Sequence, residues 1–175
     1  MFLHMLSSGE KCLFLKLASL FSVSDSPVEV GAYSNSIQKT ESEEKALNGL
    51  RLGCEIQEDE YEDDLCQEQK FLESLEALPK SSVNSQLIRK EICAGLLKDV
   101  LEEENISLSA SSKKIFIFEL MMLGLVDGEI CETEQYLLYT LAEELRLERD
   151  DFDDVLVHCK QVNSEVRKAL SLILE

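Results

Sequence analysis

Two apolar stretches of equal length decide the fold of this chain: 11-KCLFLKLASLFSVSD-25 and 113-KKIFIFELMMLGLVD-127. They align without gaps at an offset of 102 residues, and each begins at a lysine and ends at an aspartate. Three of the aligned pairs are bulky and apolar in both copies: Leu13/Ile115, Phe14/Phe116 and Leu15/Ile117. Similarity at a fixed spacing is typical of duplicated folds. The alignment predicts an internal repeat in which each copy begins with an apolar helix.

Two acidic segments extend the repeat. Residues 60–63 (EYED) match residues 151–154 (DFDD), and Leu65 matches Leu156, at an offset of 91 residues. The offset has fallen by eleven residues because the first copy carries extra polar chain between 27 and 40. Two such units can close about a pseudo-two-fold axis and share a core that neither buries alone. We therefore predict one domain, 1–175, with repeat halves at about 8–80 and 81–175.

Apolar residues recur at intervals of three and four, which is the period of an amphipathic helix, and no long stretch alternates with period two. On α-helical spacing, Ile88, Ile92, Leu96 and Val100 form one apolar face. The sequence predicts an all-α, compact bundle of about seven helices and no strands. The predicted helices cover about 8–23, a segment from Ser42, a segment from the acidic run 58–64 to before Pro79, 81–100, 112–126, 132–145 and 149–174, the last broken near Asn163-Ser164.

Composition excludes several classes of function. The chain has 175 residues, a formal net charge of −18 and 45% hydrophobic residues, so it can bury a core. The charge disfavours direct binding to nucleic acid, which needs Lys and Arg. No apolar run reaches the ~20 residues that span a bilayer, so we expect no membrane insertion. Two histidines and the lack of a glycine-rich phosphate loop predict a non-enzymatic protein. Six widely spaced cysteines indicate reduced, buried thiols and a cytoplasmic location.

The sharpest motif is the corner 126-VDGEICETE-134. Asp127, Glu129 and Glu134 could converge as hard oxygen ligands for Ca²⁺ or Mg²⁺. The spacing is not that of an EF-hand, because Gly128 follows the first aspartate directly. The alternative is a structural corner, in which Gly128 caps one helix and the acids stabilise the positive start of the next. Both interpretations stay open on the residues alone.

An Asp-Gly corner with an acid seven residues after the aspartate, in a duplicated helical chain, resembles the tellurite-resistance TerB-like family. The resemblance covers about residues 8–174. It implies a bacterial protein of about seven helices in two pseudo-symmetric halves, with an acidic centre that binds a metal ion. The central acids it implies are Asp25, Glu43, Asp127 and Glu134. The first copy departs from the pattern because Ser26, and not glycine, follows Asp25.

Three functions remain open. The first is a TerB-like protein with an interaction or stress-associated role, a divalent cation at the central acids and a protein partner with a basic surface. The second is an acidic decoy for the basic nucleic-acid site of a partner protein. It rests on the net charge of −18 and on the run 55–64, which holds seven carboxylates in ten residues; the alternative interpretation of that run is a solvated helix start. The third is a homodimer closed by the apolar helix at 112–126.

Overall fold

The computed structural model describes residues 2–30, 35–54, 62–76, 78–126 and 128–174, and within these ranges it leaves out the side chains of residues 30, 35, 43, 62–65 and 174. Seven helices dominate this part of the chain. Their bounds are α1 Ser8–Val23, α2 Glu41–Cys54, α3 Glu62–Glu76, α4 Gln86–Glu104, α5 Ala110–Gly124, α6 Glu132–Glu144 and α7 Arg149–Leu174. A short 3₁₀ turn, Leu3–Met5, precedes α1. The described part of the chain is mostly helical, as predicted, and the bounds of α1 and α6 lie within one residue of those predicted.

Helices α1 and α5, which carry the two aligned apolar stretches, form the centre of the bundle. Phe14 of α1 and Phe116 of α5 are fully buried, and their rings meet edge-to-face with centroids 5.5 Å apart. Helix α1 also packs against α2, α3 and α4, whereas α5 packs against α6 and α7. Both central helices are apolar on more than one face because each is covered on several sides. The apolar face at 115–118, predicted to close a homodimer, is largely buried within a single chain.

Helix α4 presents a different face from the one predicted. Its buried residues are Arg89, Cys93, Ala94, Leu97 and Val100, so the buried face lies about one residue further along than the predicted set. The reason is Arg89, whose guanidinium Nη2 donates to the carbonyl oxygens of Val23 (2.9 Å) and Ser26 (2.6 Å). These bonds turn position 89 inward. The helix also begins at Gln86 and not at residue 81, because residues 79–85 form turns closed by backbone hydrogen bonds.

The prediction of no strands is wrong in one place. Strands β1 (Val28–Val30) and β2 (Asn35–Ile37) form a small antiparallel hairpin in the segment predicted to be a polar loop. Three residues are too few for a period of two to be recognised in a sequence. The hairpin is anchored by Asn84, whose side chain accepts from the backbone N–H of Val28 and donates to its carbonyl oxygen, both at 3.3 Å.

Helix α7 is continuous, in contrast to the predicted break at Asn163-Ser164. It runs parallel to α5: Lys114 pairs with Asp151 near the two helix starts, and Asn163 Nδ2 donates to the carbonyl oxygen of Leu125. Beyond Asn163 it continues for about 16 Å past the end of α5, at 1.5 Å per residue. None of the helices in the described ranges combines the length and apolarity needed to cross a lipid bilayer.

Candidate metal centre

Three side chains from distant parts of the sequence meet where the corner after α1 approaches the start of α6. One carboxylate oxygen of Asp25, one of Glu134 and the sulfur of Cys131 all lie within 4.8 Å of one another. Asp25 and Cys131 are 106 residues apart in the chain. The turn after α1 therefore contributes one of the three groups, and the first turn of α6 contributes the other two.

Glu134 is fixed by the way α6 begins. Its carboxylate accepts from the backbone N–H of Cys131 at 2.7 Å, and the sulfur of Cys131 accepts from the N–H of Glu134 at 3.4 Å. This is a capping box, in which the first residues of a helix satisfy each other's free N–H groups. The carboxylate is buried and lies against Gly124, where a β-carbon would come within 3.0 Å of Oε1. The absence of a side chain at position 124 thus makes room for Glu134.

Arg89 holds the other side of the cluster. It is 5% exposed, and its hydrogen bonds to Val23 and Ser26 bracket the turn that carries Asp25. Its guanidinium also lies over the ring of Phe71, 5.6 Å from the centroid. Burial lowers the pKa of Arg89, whereas the nearby Cys93, Asp25 and Cys131 raise it. A buried cation beside Asp25 offsets part of the negative charge that two carboxylates bring together.

Cys131 is a weak acid in this setting. Burial, together with the negative charges of the Glu134 and Asp25 carboxylates, raises the pKa of its thiol to about 11. The thiol is therefore protonated at neutral pH and is a poor nucleophile. A metal ion could bind the sulfur only by displacing this proton, so metal binding here would release a proton to solvent.

The donor set fits a borderline metal ion better than a hard one. Ca²⁺ and Mg²⁺ take oxygen ligands, whereas Zn²⁺ accepts thiolate and carboxylate together. Two carboxylates and one thiolate carry three negative charges. Arg89 and a divalent ion carry three positive charges, so the loaded cluster would be neutral. Asp25 is exposed and Glu134 is buried, which leaves one side open for an ion to enter and for water to complete its coordination.

The structure brings together two of the five residues predicted as ligands. Asp25 and Glu134 contribute to the cluster, whereas Glu129 is exposed and is not part of it. Asp127 lies outside the described residues, and so does the side chain of Glu43. Residues 55–61 of the first acidic run also lie outside them. In the matching run at 148–154, the acids Glu148, Asp150, Asp153 and Asp154 are exposed at the start of α7.

Two residues of the site, Cys131 and Arg89, are not among those predicted from the sequence. The sequence predicts that the cysteines, Cys131 included, are buried thiols. This prediction is confirmed for Cys54, Cys93 and Cys159 and is wrong for the exposed Cys66. The spacing Cys-x-x-Glu could have indicated the role of Cys131, because a capping box normally reads Ser/Thr-x-x-Glu. The sequence gives a weaker signal for Arg89, which is one of the few cations among the apolar residues that recur at helical spacing in α4.

Comparisons with known proteins give no match: no family model, no curated protein and no solved structure is significantly similar to this chain.

Proposed function

We propose that this protein is a non-enzymatic, TerB-like helical module that binds a divalent cation between its two halves. The ion is of the zinc class, and its ligands are Asp25, Cys131 and Glu134. The observation that carries the proposal is the convergence of these three donors within 4.8 Å from two corners that the repeat treats as equivalent. A bound ion would join the corner after α1 to the corner before α6 and so link the halves.

The packing supports the two-half arrangement. Helices α1 and α5, matched by the repeat, contact each other, and each packs against the two helices that follow its own corner. Phe14 and Phe116, which the repeat also matches, touch in the core. Residues related by a two-fold axis meet where they lie close to that axis. A cation near the same axis would be held by both halves, which suits a switch of stability or of partner binding.

The test is calorimetric titration of the metal-free protein with Zn²⁺, Mn²⁺, Ca²⁺ and Mg²⁺. We expect saturable one-to-one binding of Zn²⁺, weaker binding of Mn²⁺ and no binding of Ca²⁺ or Mg²⁺ at the cluster. Each of Asp25→Asn, Cys131→Ser and Glu134→Gln removes one ligand and should weaken Zn²⁺ at least tenfold. These changes conserve side-chain size, so the corner should still fold.

Two matched controls separate the cluster from general surface charge and from general thiol binding. Glu129→Gln removes an exposed acid of the same corner, and Cys66→Ser removes an exposed thiol on α3. Both should leave the affinity for Zn²⁺ unchanged. Equal losses in the controls and the ligand variants would show that the ion binds diffusely, and the proposed site would then be wrong.

A further inference from the structure

The apolar stripe of α7 continues into the second half of this helix, beyond the residues that other helices cover. Phe152, Leu156 and Cys159 pack in the core, where Phe152 stacks on Tyr139 of α6 and the Cys159 thiol donates to the Phe118 carbonyl of α5. The stripe then recurs through Asn163 to Val166, Leu170 and Ile173, with alternating steps of four and three. Phe152 and Cys159 are 3% and 0% exposed, whereas Val166, Leu170 and Ile173 are 46%, 49% and 75% exposed. This spacing is that of a helix that pairs with another helix. The second half of α7 thus presents a helix-pairing face with nothing packed on it in the described chain.

One edge of this stripe is cationic. Lys160 and Arg167 each follow a stripe residue by one position and are exposed, and neither forms a hydrogen bond or an ion pair within the described part of the chain. Together with Lys168, which pairs with Glu165, and the exposed acid Glu129, they line a cleft of about 770 Å³ between α7 and the α5–α6 corner. The cleft has an apolar floor that includes Leu125 and Ile130. Two exposed cations without an ion pair in the described part of the chain, Lys160 and Arg167, therefore lie at one cleft of a protein whose net charge is −18.

Arg167 lies against the corner between α5 and α6. Its guanidinium lies over Gly128, where a β-carbon would come within 2.6 Å of Nη2. Gly128 has a φ of +112°, a backbone conformation that favours glycine at this position. The cationic edge of α7 therefore lies next to the corner between α5 and α6.

The charges on this edge decide what can cover the stripe. In an antiparallel pair of α7 helices the two cationic edges would face each other, and in a parallel pair they would face the apolar edge at Val162. A second copy therefore offers no complementary charge. An anionic membrane is a wide plane that would also be repelled by the other acids of a chain whose net charge is −18. A single acidic helix lying on the stripe meets mainly the charges at its edges, within a Debye length of ~8 Å, and the exposed cations on the cationic edge of the stripe are Lys160 and Arg167.

We propose that the second half of α7 and its cleft form a docking surface for an acidic amphipathic helix of a partner protein. The partner's apolar residues cover Val166, Leu170 and Ile173, and its Asp or Glu side chains pair with Lys160 and Arg167. This mode of recognition is a helix lying in a groove. It is separate from the metal centre and does not depend on it. It also differs from the basic partner expected for the acidic runs, since it uses another surface.

The test uses two synthetic 21-residue helical peptides with leucine at the a and d positions of three heptads. One has glutamate at every e and g position and the other has lysine, so that like charges keep each peptide from pairing with itself. Binding to the full chain is followed by fluorescence anisotropy at 0.15 M salt. We expect the glutamate peptide to bind saturably and Leu170→Gln and Lys160→Glu to weaken it at least tenfold each. Both residues are exposed, so these variants should fold.

Matched controls are Leu87→Gln, an exposed leucine on α4, and Lys80→Glu, an exposed lysine with the same change of charge. Both should bind the glutamate peptide like the unmodified chain. The proposal is overturned if that peptide does not bind, or if the controls weaken it as much as the α7 variants. It is also overturned if sedimentation shows a dimer that dissociates when Leu170→Gln is introduced. Binding of the unmodified chain to anionic vesicles, abolished by Leu170→Gln, would overturn it as well. Those two results would identify a second copy or a membrane as the occupant.

Discussion

Gly124→Ala tests how tightly Glu134 is held against the bundle. Adding a methyl group to a helical glycine ordinarily stabilises a protein by about 0.5–1 kcal/mol, because alanine loses less backbone entropy. At position 124, however, the new β-carbon would lie 3.0 Å from Glu134 Oε1 and 3.2 Å from Phe21 Cε1. Phe21 is 3% exposed and Glu134 is 8% exposed, so neither side chain has free space to move into.

Overpacking of this kind costs about 1–3 kcal/mol. Set against the gain in helix propensity, the expected result is a loss of about 1 kcal/mol in the free energy of unfolding. For a chain of this size the melting temperature should fall by about 2–4 °C. The same shift of the Glu134 carboxylate should weaken Zn²⁺ binding, since Glu134 is one of the proposed ligands.

Gly95→Ala is the matched control. Gly95 lies in α4, and a β-carbon there would meet no atom within 4 Å. This variant should gain about 0.5–1 kcal/mol. Urea and thermal unfolding followed by circular dichroism measure both variants against the unmodified chain. If Gly124→Ala is as stabilising as Gly95→Ala, the Glu134 side chain is free to move, and the corner at the start of α6 is not rigid.

Three further predictions concern buried polar groups. Arg89→Met should lower the free energy of unfolding by about 2–3 kcal/mol in urea titrations, because two buried carbonyl oxygens lose their donor. Burial raises the pKa of Glu119 above its ordinary 4.5, so its contribution to stability is present below pH 4.5 and is lost as pH rises through the folded-state pKa. Glu119→Gln should therefore gain stability relative to the unmodified chain between pH 4 and pH 7; a constant difference would contradict this. At pH 8 iodoacetamide should alkylate the exposed Cys66 but not Cys93 or Cys159, because burial raises the pKa values of the last two thiols to about 12. All three should react once urea unfolds the chain, and mass spectrometry of peptides identifies the alkylated sites.

The sequence was sufficient for features that depend on local pattern. Helix α1 was predicted within its observed bounds because its apolar residues follow a helical period up to the turn at Asp25. The start of α6 followed from the Asp-Gly corner and the acids after it. The resemblance to the TerB-like family implied that Asp25 and Glu134 are among the same central acids, and the structure brings these two side chains together.

Features that depend on distant contacts could not be predicted in this way. The buried face of α4 is shifted by hydrogen bonds from Arg89 to carbonyl groups more than 60 residues earlier in the chain. The hairpin at β1 and β2 depends on Asn84, which lies over 50 residues from Val28. Cys131 becomes a candidate ligand only because the fold brings it to Asp25. Periodicity reports which residues are buried, but not which partner each one meets.

The central claim is that Asp25 and Cys131, which are 106 residues apart in the chain, hold the same ion. Replacing Zn²⁺ with Co²⁺ tests it directly, because a Co²⁺–thiolate bond gives a near-ultraviolet charge-transfer absorption that carboxylates alone do not give. We predict that this band appears on titration of the metal-free protein, disappears in Cys131→Ser, is strongly reduced in Asp25→Asn and is unchanged in Glu129→Gln. A band that persists in Cys131→Ser, or no band at all with the unmodified chain, would contradict a shared metal centre.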